Sequence, residues 1–190
     1  GNKAYGWGFA TAYKNTGLGG GAHDKSEVEI EAYEDGSIEA RCSAAEIGQG
    51  LPGVMAAIAA EELGLPFEKA RVLLSDTDLT PDGGPTTASR QTFVTGNATR
   101  MTAIKLRKHL AEVAAEMLDV TPEAVRFADG RVSDDRRSVS FGEVVAQAKR
   151  EGRDTRLSNE YEAPETRPLG TGGDMHVAFS YAAQAPLVEV

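Results

Sequence analysis

Cysteine is almost missing from this sequence: of 190 residues only Cys42 is one. A single thiol cannot build an internal disulfide, a cysteine-rich zinc site or an iron–sulfur cluster. It also makes the reducing cytoplasm the expected location. Basic residues are the scarcer charge, 20 against 29 acidic, for a formal net charge of −9. That balance argues against nucleic acid as a partner, because phosphate-backbone binding needs a concentrated positive surface. No apolar run approaches the ~20 residues that span a bilayer, and no signal-peptide pattern is read, so no membrane partner is expected. The three histidines, His23, His109 and His176, have no metal-ligand spacing. An EF-hand counted from Asp76 would put Pro81 and Thr87 where glycine and glutamate are needed. Neither a G-x-S-x-G elbow nor a P-loop is present.

What remains is ordinary globular material, 41% hydrophobic and 26% charged, enough for one sizeable domain or two small ones. Tyr5, Trp7 and Phe9 alternate with Gly6 and Gly8, a strand whose glycines imply a very close neighbour. Val28, Ile30 and Ala32 alternate with glutamates, Glu34-Asp35-Gly36 signals a hairpin, and Ile38, Ala40 and Cys42 return on an apolar face. Helical spacing runs from Gln49 to Leu63 and stops at Gly64 and Pro66. Arg71–Ser75 reads as a buried strand. A long helix is predicted from near Ser89 to Leu118, with a core stripe of Met101, Ile104, Leu110, Val113, Ala114 and Met117.

Leu63–Val72 resembles Leu118–Phe127: each ends a helix, turns through Pro and Glu, and enters a strand at an arginine. Two such units predict two helices packed on one sheet. Asp129-Gly130 predicts a second hairpin. Ser140 and Glu143 form a capping box ahead of a third helix, and Val177, Phe179, Tyr181 and Ala183 alternate as a late strand. The fold class expected is α+β, a mixed β-sheet packed by helices. The stop at Leu187–Val190, in mid-strand pattern, reads as a fragment of a longer protein, truncated at both ends and divisible into two α+β lobes.

Two loops carry candidate chemistry. Ile47-Gly48-Gln49-Gly50 opens the first helix. Pro81–Ala98, PDGGPTTASRQTFVTGNA, passes from turn formers through small hydroxylated residues into the long helix. Both are helix mouths, where backbone N–H groups and the positive helix end favour an anion. Ser89 is the expected N-cap of the long helix. Arg90 supplies a cationic fork suited to phosphate. Together the mouths suggest one pocket for a large polar anion.

Four stretches, KNTGLGGGA at 14–22, EIGQG at 46–50, AAEELGLP at 59–66 and SDTDLTPDGGPTTASRQTFVTGNA at 75–98, resemble the molybdenum-cofactor-binding subunit of the xanthine dehydrogenase and aldehyde oxidase family. The resemblance is specific from Glu46 to Ala98 and looser from Thr121 to Met175. It implies a parent oxidoreductase that hydroxylates aldehydes or N-heterocycles with water-derived oxygen. The implied cofactor is molybdopterin, in bacterial members often its cytosine dinucleotide, which holds the molybdenum without a direct protein ligand. The implied partners are iron–sulfur and FAD domains or subunits, the remainder of the molybdenum subunit and a small-molecule substrate. Gln49, flanked by Gly48 and Gly50, matches the family's cofactor-contacting glutamine. Ala88 and Ser89 match positions beside metal and pterin, while Arg90 and Gln91 vary in the family. Thr86 to Gln91 is expected as the inner wall of the pocket. The family's catalytic glutamate lies far downstream, so no catalytic residue is expected in this chain. The rival readings are a stand-alone binding module for a nucleotide-like phosphorylated ligand and a structural domain without catalysis.

Overall fold

The computed structural model describes residues 2–190. Its centre is a mixed four-stranded sheet built from β3 (Lys25–Ala32), β4 (Ile38–Cys42), β5 (Ala70–Leu74) and β9 (Arg156–Glu162), in the order β5-β4-β3-β9. β3 runs antiparallel to both β4 and β9, and β4 parallel to β5. The expected hairpin joins β3 to β4, with Gly36 at φ 79° and the Asp35 carboxylate accepting from Ser37 N–H at 2.9 Å. Period-two alternation sorts the faces. Val28, Ile30, Ala32, Ile38, Ala40 and Cys42 are fully buried under the helices. On the other face Arg41 bridges Glu29, Glu31 and Glu39.

Two helices cover the apolar face, α1 (Leu51–Leu63) and α2 (Gly96–Leu118). α2 is entered through a π-helical turn, Gln91–Thr95, so the regular helix begins later than its periodicity predicts. The expected stripe holds at Leu110, Val113 and Ala114 and fails at the start of the helix. Met101 is exposed, whereas Thr99 and Thr102 are buried beside Ala103, Leu106 and Leu110. Threonine can sit there because its hydroxyl is satisfied by backbone. Thr99 donates to Thr95 O at 2.8 Å, and Thr102 lies 3.0 Å from Val28 O on the sheet.

The repeat holds locally, and its two helices do pack on one sheet, but the strands that follow them go to different sheets. Both copies end a helix in a left-handed residue, Gly64 (φ 63°) or Asp119 (φ 52°), and both then make a short 3-10 turn. The first enters β5 of the main sheet. The second enters β6 (Arg126–Ala128), which pairs with β7 (Arg131–Ser133) and then β8 (Ser138–Ser140) in a separate sheet. The two helices therefore do not share a sheet through two equivalent strands. Asp129-Gly130, both at positive φ, makes the β6–β7 hairpin. α3 (Phe141–Arg150) starts at the expected capping box: Ser140 N–H donates to Glu143 at 2.7 Å and Glu143 N–H to Ser140 Oγ at 3.2 Å.

The ends of the described chain meet. β1 (Tyr5–Trp7) pairs with β11 (Leu187–Glu189), and β2 (Ala10–Thr16) with β10 (Ala178–Gln184), both antiparallel. The Gly8 N–H to Pro186 O bond, 3.0 Å, joins the pairs in step, so they form one two-stranded ribbon. No described atom lies within 4 Å of a Cβ built at Gly6. The close neighbour expected of that glycine is therefore not supplied by this chain's described residues.

Gly64 combines a left-handed φ with a steric demand, since a Cβ there would lie 2.4 Å from the Phe127 carbonyl. Gly152 has a similar φ, +70°, with nothing within 4 Å. Gly152→Ala should therefore cost only the left-handed term, about 1–2 kcal/mol. Gly64→Ala should cost distinctly more in the same urea melts. Equal losses would show that the α1–β6 contact is slack.

Candidate functional site

The loop between β5 and α2 is held by one buried cation. Arg90 is 0% exposed, and its ion-pair partner Asp24 is 6% exposed. Arg90 Nε donates to Asp24 Oδ1 at 2.5 Å, Nη1 to Gly83 O at 2.8 Å and Pro85 O at 2.9 Å, and Nη2 to Lys25 O at 2.6 Å. The second Asp24 oxygen accepts from Leu18 N–H at 2.7 Å. The pair thus joins the glycine-rich loop at 17–22, the start of β3 and the 83–85 turn. Gly84 leaves space for it, because a Cβ there would stand 3.0 Å from Nη2. A cationic fork free to meet phosphate is not what these bonds leave, and that expectation for the Arg90 side chain is corrected.

The neighbouring polar chain is equally committed. Thr86 Oγ1 accepts from Ala45 N–H at 2.8 Å and from Gln91 Nε2 at 3.0 Å. Gln91 Oε1 takes the Thr95 hydroxyl, and Thr95 Oγ1 lies 3.0 Å from Ser26 Oγ on β3. Thr86 and Gln91 therefore fasten the loop to the 45–50 segment and to the sheet through their side chains.

Between these anchors, Ala88 (φ 51°) and Ser89 (φ 53°) are consecutive non-glycine residues in the left-handed region. Such residues cost roughly 1–3 kcal/mol each and persist where the surroundings over-determine them. Here the surroundings are the buried Arg90 and the Gly17 N–H to Ala88 O bond of 3.1 Å. Ser89 does not cap the helix. Residue 90 is the boundary residue, without a side-chain cap, and Ser89 is left exposed. Among the described residues no acceptor takes the N–H groups of Gln91, Thr92 or Phe93.

The two helix mouths differ. At α1 the mouth is filled from within: the Glu46 carboxylate accepts from Gly48 N–H at 2.6 Å, Gly50 N–H at 3.1 Å and Leu51 N–H at 2.6 Å. These donors, Gly50 first, hold the Glu46 carboxyl below the usual carboxylate range. Gly48 (φ 103°) and Gly50 (φ 77°) permit the tight wrap. Gln49 folds onto its own loop, accepting from Ile47 N–H at 2.7 Å and donating to Ala45 O at 2.9 Å. The anion site expected at the first mouth is thus already taken by Glu46. At α2 the mouth is open.

A cavity of about 650 Å³ lies over that open mouth. Gln49, Thr86, Ala88, Ser89, Arg90 and Gln91 all line it, while Gly48 and Gly50 shape the Gln49 loop from behind. Thr87, inside the expected Thr86–Gln91 wall, lines it too, and Thr16, Ile47, Thr92, Phe93, Asn97 and the β10 residues Ala178–Ser180 complete it. Ile47, Thr92, Phe93 and Asn97 lie within the two candidate loops without having been singled out as site residues, Thr16 and the β10 residues lie outside those loops, and Glu46 was given no role. An acid just ahead of a helix was the available signal for Glu46. β10 had none, since its approach depends on pairing across the whole chain.

The whole chain, residues 1–190, matches the family described as molybdopterin cofactor-binding domain. Over 119 residues it is 31% identical to the 6-hydroxypseudooxynicotine dehydrogenase complex subunit gamma of Paenarthrobacter nicotinovorans, covering 62% of this chain and 15% of that protein. Over 100 residues it is 40% identical to the xanthine dehydrogenase molybdenum-binding subunit of Escherichia coli O157:H7, covering 52% and 13%. The crystal structure of quinoline 2-oxidoreductase from Pseudomonas putida 86 shares the fold with a TM-score of 0.73 at 22% identity, covering 99% of this chain and 25% of that one. The chain thus spans a minor part of each.

Arg90→Ala should destabilise the chain by about 3–5 kcal/mol, the range for leaving a buried charge unpaired. Adding Asp24→Ala should cost less than the sum of the two single changes, because the stranded carboxylate is then gone. Denaturant melts of the four proteins measure this, and strict additivity would show that the two side chains do not act together.

The Glu46 contribution has a definite sign. Its folded pKa is depressed, so loop stabilisation is present above the unfolded value, about 4.3, and is lost as pH falls through the folded value. The amide resonances of Gly48, Gly50 and Leu51 should titrate together with a midpoint below the ordinary carboxylate value. Glu46→Gln should abolish that titration. A midpoint at or above the ordinary value would mean that the three bonds do not form.

Proposed function

The chain belongs to the molybdopterin cofactor-binding domain family, and from that premise we propose that the cavity over the α2 mouth holds part of a molybdopterin. The observation that carries this is the open row of N–H groups at Gln91, Thr92 and Phe93, beside a strained turn that side chains elsewhere hold in place. The residues fit such a group. Free amide donors at a helix start suit a phosphate. The Ser89 hydroxyl and the Gln49 amide offer the mixed donors and acceptors that a pterin edge needs. Ala88 keeps the wall shallow. Gln49 would exchange its present loop bonds for bonds to the ligand, and Arg90 and Gln91 act through their backbone while their side chains anchor the loop.

The parent polypeptide is read as a molybdenum hydroxylase acting on an aldehyde or an N-heterocycle. When bound, the cofactor supplies the molybdenum that accepts the substrate's electrons. The described cavity wall contains no carboxylate or histidine, so the proton acceptor of the reaction would come from outside these residues. The cytosine dinucleotide form, and iron–sulfur and FAD partners for onward electron transfer, belong to the same proposal. None of the relatives named above is a stand-alone nucleotide-binding module. No helix among the described residues is long and apolar enough to cross a membrane.

Two variants of the full-length polypeptide test the site. Ala88 already carries a Cβ at φ 51°, so Ala88→Leu adds bulk to the wall without a new backbone demand. It should abolish molybdenum and pterin content while the melting temperature is kept. Gln49→Ala should weaken retention by about 1–3 kcal/mol, the cost of an unpaired buried polar group, read as molybdenum lost on dialysis. Full metal and pterin occupancy in both variants would place the pocket elsewhere.

A further inference from the structure

Most polar side chains on the cavity wall are already spent on the protein itself. Arg90 and Gln91 are engaged within the loop, Gln49 uses both ends of its amide in its own segment, and Thr16 pairs with Ser180 at 3.1 Å. Asn97 differs. It lines the cavity from the first turn of α2, half-buried, four residues beyond Phe93 on the same helix face. Its Nδ2 donates to Phe93 O at 2.6 Å. Among the described residues, nothing accepts its second amide hydrogen and nothing donates to its Oδ1.

That single bond sets the geometry of the rest of the amide. The group is planar, so holding Nδ2 against the carbonyl four residues back also fixes where Oδ1 lies. The hydroxyls of Thr87, Ser89 and Thr92, on the same wall, turn freely and can donate or accept. Gln49 has to break two loop bonds to reach a ligand, whereas Asn97 gives up nothing. A group already in its bound geometry contributes more to binding, because less ordering cost offsets it. Polarity matters as well. The free N–H groups of Gln91, Thr92 and Phe93 favour an anion. Asn97 Oδ1 offers the opposite polarity, an acceptor, about 6 Å further along the helix than Phe93.

We infer that Asn97 is a ligand-contacting residue of this site, and that its Oδ1 accepts a ring N–H of the bound group whose anionic end lies at the α2 mouth. The inference rests on the cofactor reading above and adds a direction to it: phosphate against Gln91–Phe93, N–H-bearing heterocycle alongside Asn97. A phosphorylated ligand without such an N–H would leave the acceptor unpaired once water is displaced, so Asn97 also discriminates between ligands. The purely structural alternative is the bond to Phe93 O alone, a back-bond that serine side chains make as well.

Serine therefore separates the two roles, since it keeps a back-bond and has no amide oxygen. Asn97→Ser, Asn97→Ala and Ala88→Leu are made in the full-length polypeptide, and molybdenum and pterin content are followed during dialysis. Melts of the cofactor-free Asn97 variants should match the parent. Both Asn97 variants should lose molybdenum and pterin alike, about tenfold faster than the parent, the scale of one hydrogen bond. Loss in the alanine variant with parent-like retention in the serine variant would overturn the inference, because the back-bond alone would then matter. So would full retention in both with only the substrate KM raised, which would assign the contact to the substrate. Parent-like retention in both while Ala88→Leu is empty would remove Asn97 and leave the cofactor reading standing. Full occupancy in all three would remove the cofactor reading as well.

Discussion

A guanidinium buried to zero exposure is the constraint on which the site depends. Taking Arg90 out of water is costly, and the attraction of a single carboxylate seldom compensates for it alone. The structure compensates with four donated bonds, one to Asp24 and three to backbone carbonyls at Lys25, Gly83 and Pro85. The Pro85 carbonyl also accepts from Gln91 Nε2 at 3.3 Å, which ties the arginine to the Thr86–Gln91 pair. The outcome is a knot in which three chain segments cannot move apart without exposing or stranding a polar group. Stability is the smaller consequence. The larger one is that the backbone on either side of residue 90 has very little freedom.

That loss of freedom explains how a strained turn survives next to a cavity. Ala88 and Ser89 sit at φ 51° and 53° with no glycine to relieve them. An unconstrained loop would relax. Here the turn is fixed from below by Arg90 and from the side by Gly17, and the strain holds the next three N–H groups open toward the cavity. Glu46 does the opposite at α1. It fills that helix mouth from its own loop, which leaves α2 as the anion-seeking end facing the cavity. Two mouths of similar sequence character thus divide the work, one sealed to stiffen the Gln49 loop and one left unsatisfied.

Local signals made a good deal of this legible. The β3–β4 hairpin follows from alternation around Glu34-Asp35-Gly36, α1 from its period and its Gly64 stop, and α3 from Ser140 and Glu143. In each case the deciding contacts are a few residues apart. The failures share the opposite property. Arg90 finds Asp24 at a separation of 66 positions, and Tyr5 finds Glu189 at 184. Nothing in SRQT says that its cation will be swallowed. α2 was read correctly along Leu110, Val113 and Ala114 but not at its start: Thr99 and Thr102 count as polar in any periodicity, yet back-bonding to the helix and to Val28 lets them be buried, while Met101 looks out. The structure brings Gln49, Thr86 and Ala88 to Gln91 to one cavity, in keeping with small, hydroxylated and glycine-rich runs being rarely spent on a core. The partners of the Arg90 and Ser89 side chains were not legible, because they lie far along the chain or depend on the backbone turn.

The division between core and ribbon then has a physical meaning. The four-stranded sheet and its helices bury a continuous apolar cluster, and the loop knot is fastened to that cluster through Asp24, Ser26 and Thr95. The ribbon shares in none of it, since its strands are exposed along most of their length. The cavity lies where the two regimes meet, with its rigid donors on the core side and Thr16, Ala178 and Ser180 on the ribbon side. A site built this way can keep donor geometry independent of what lies across it.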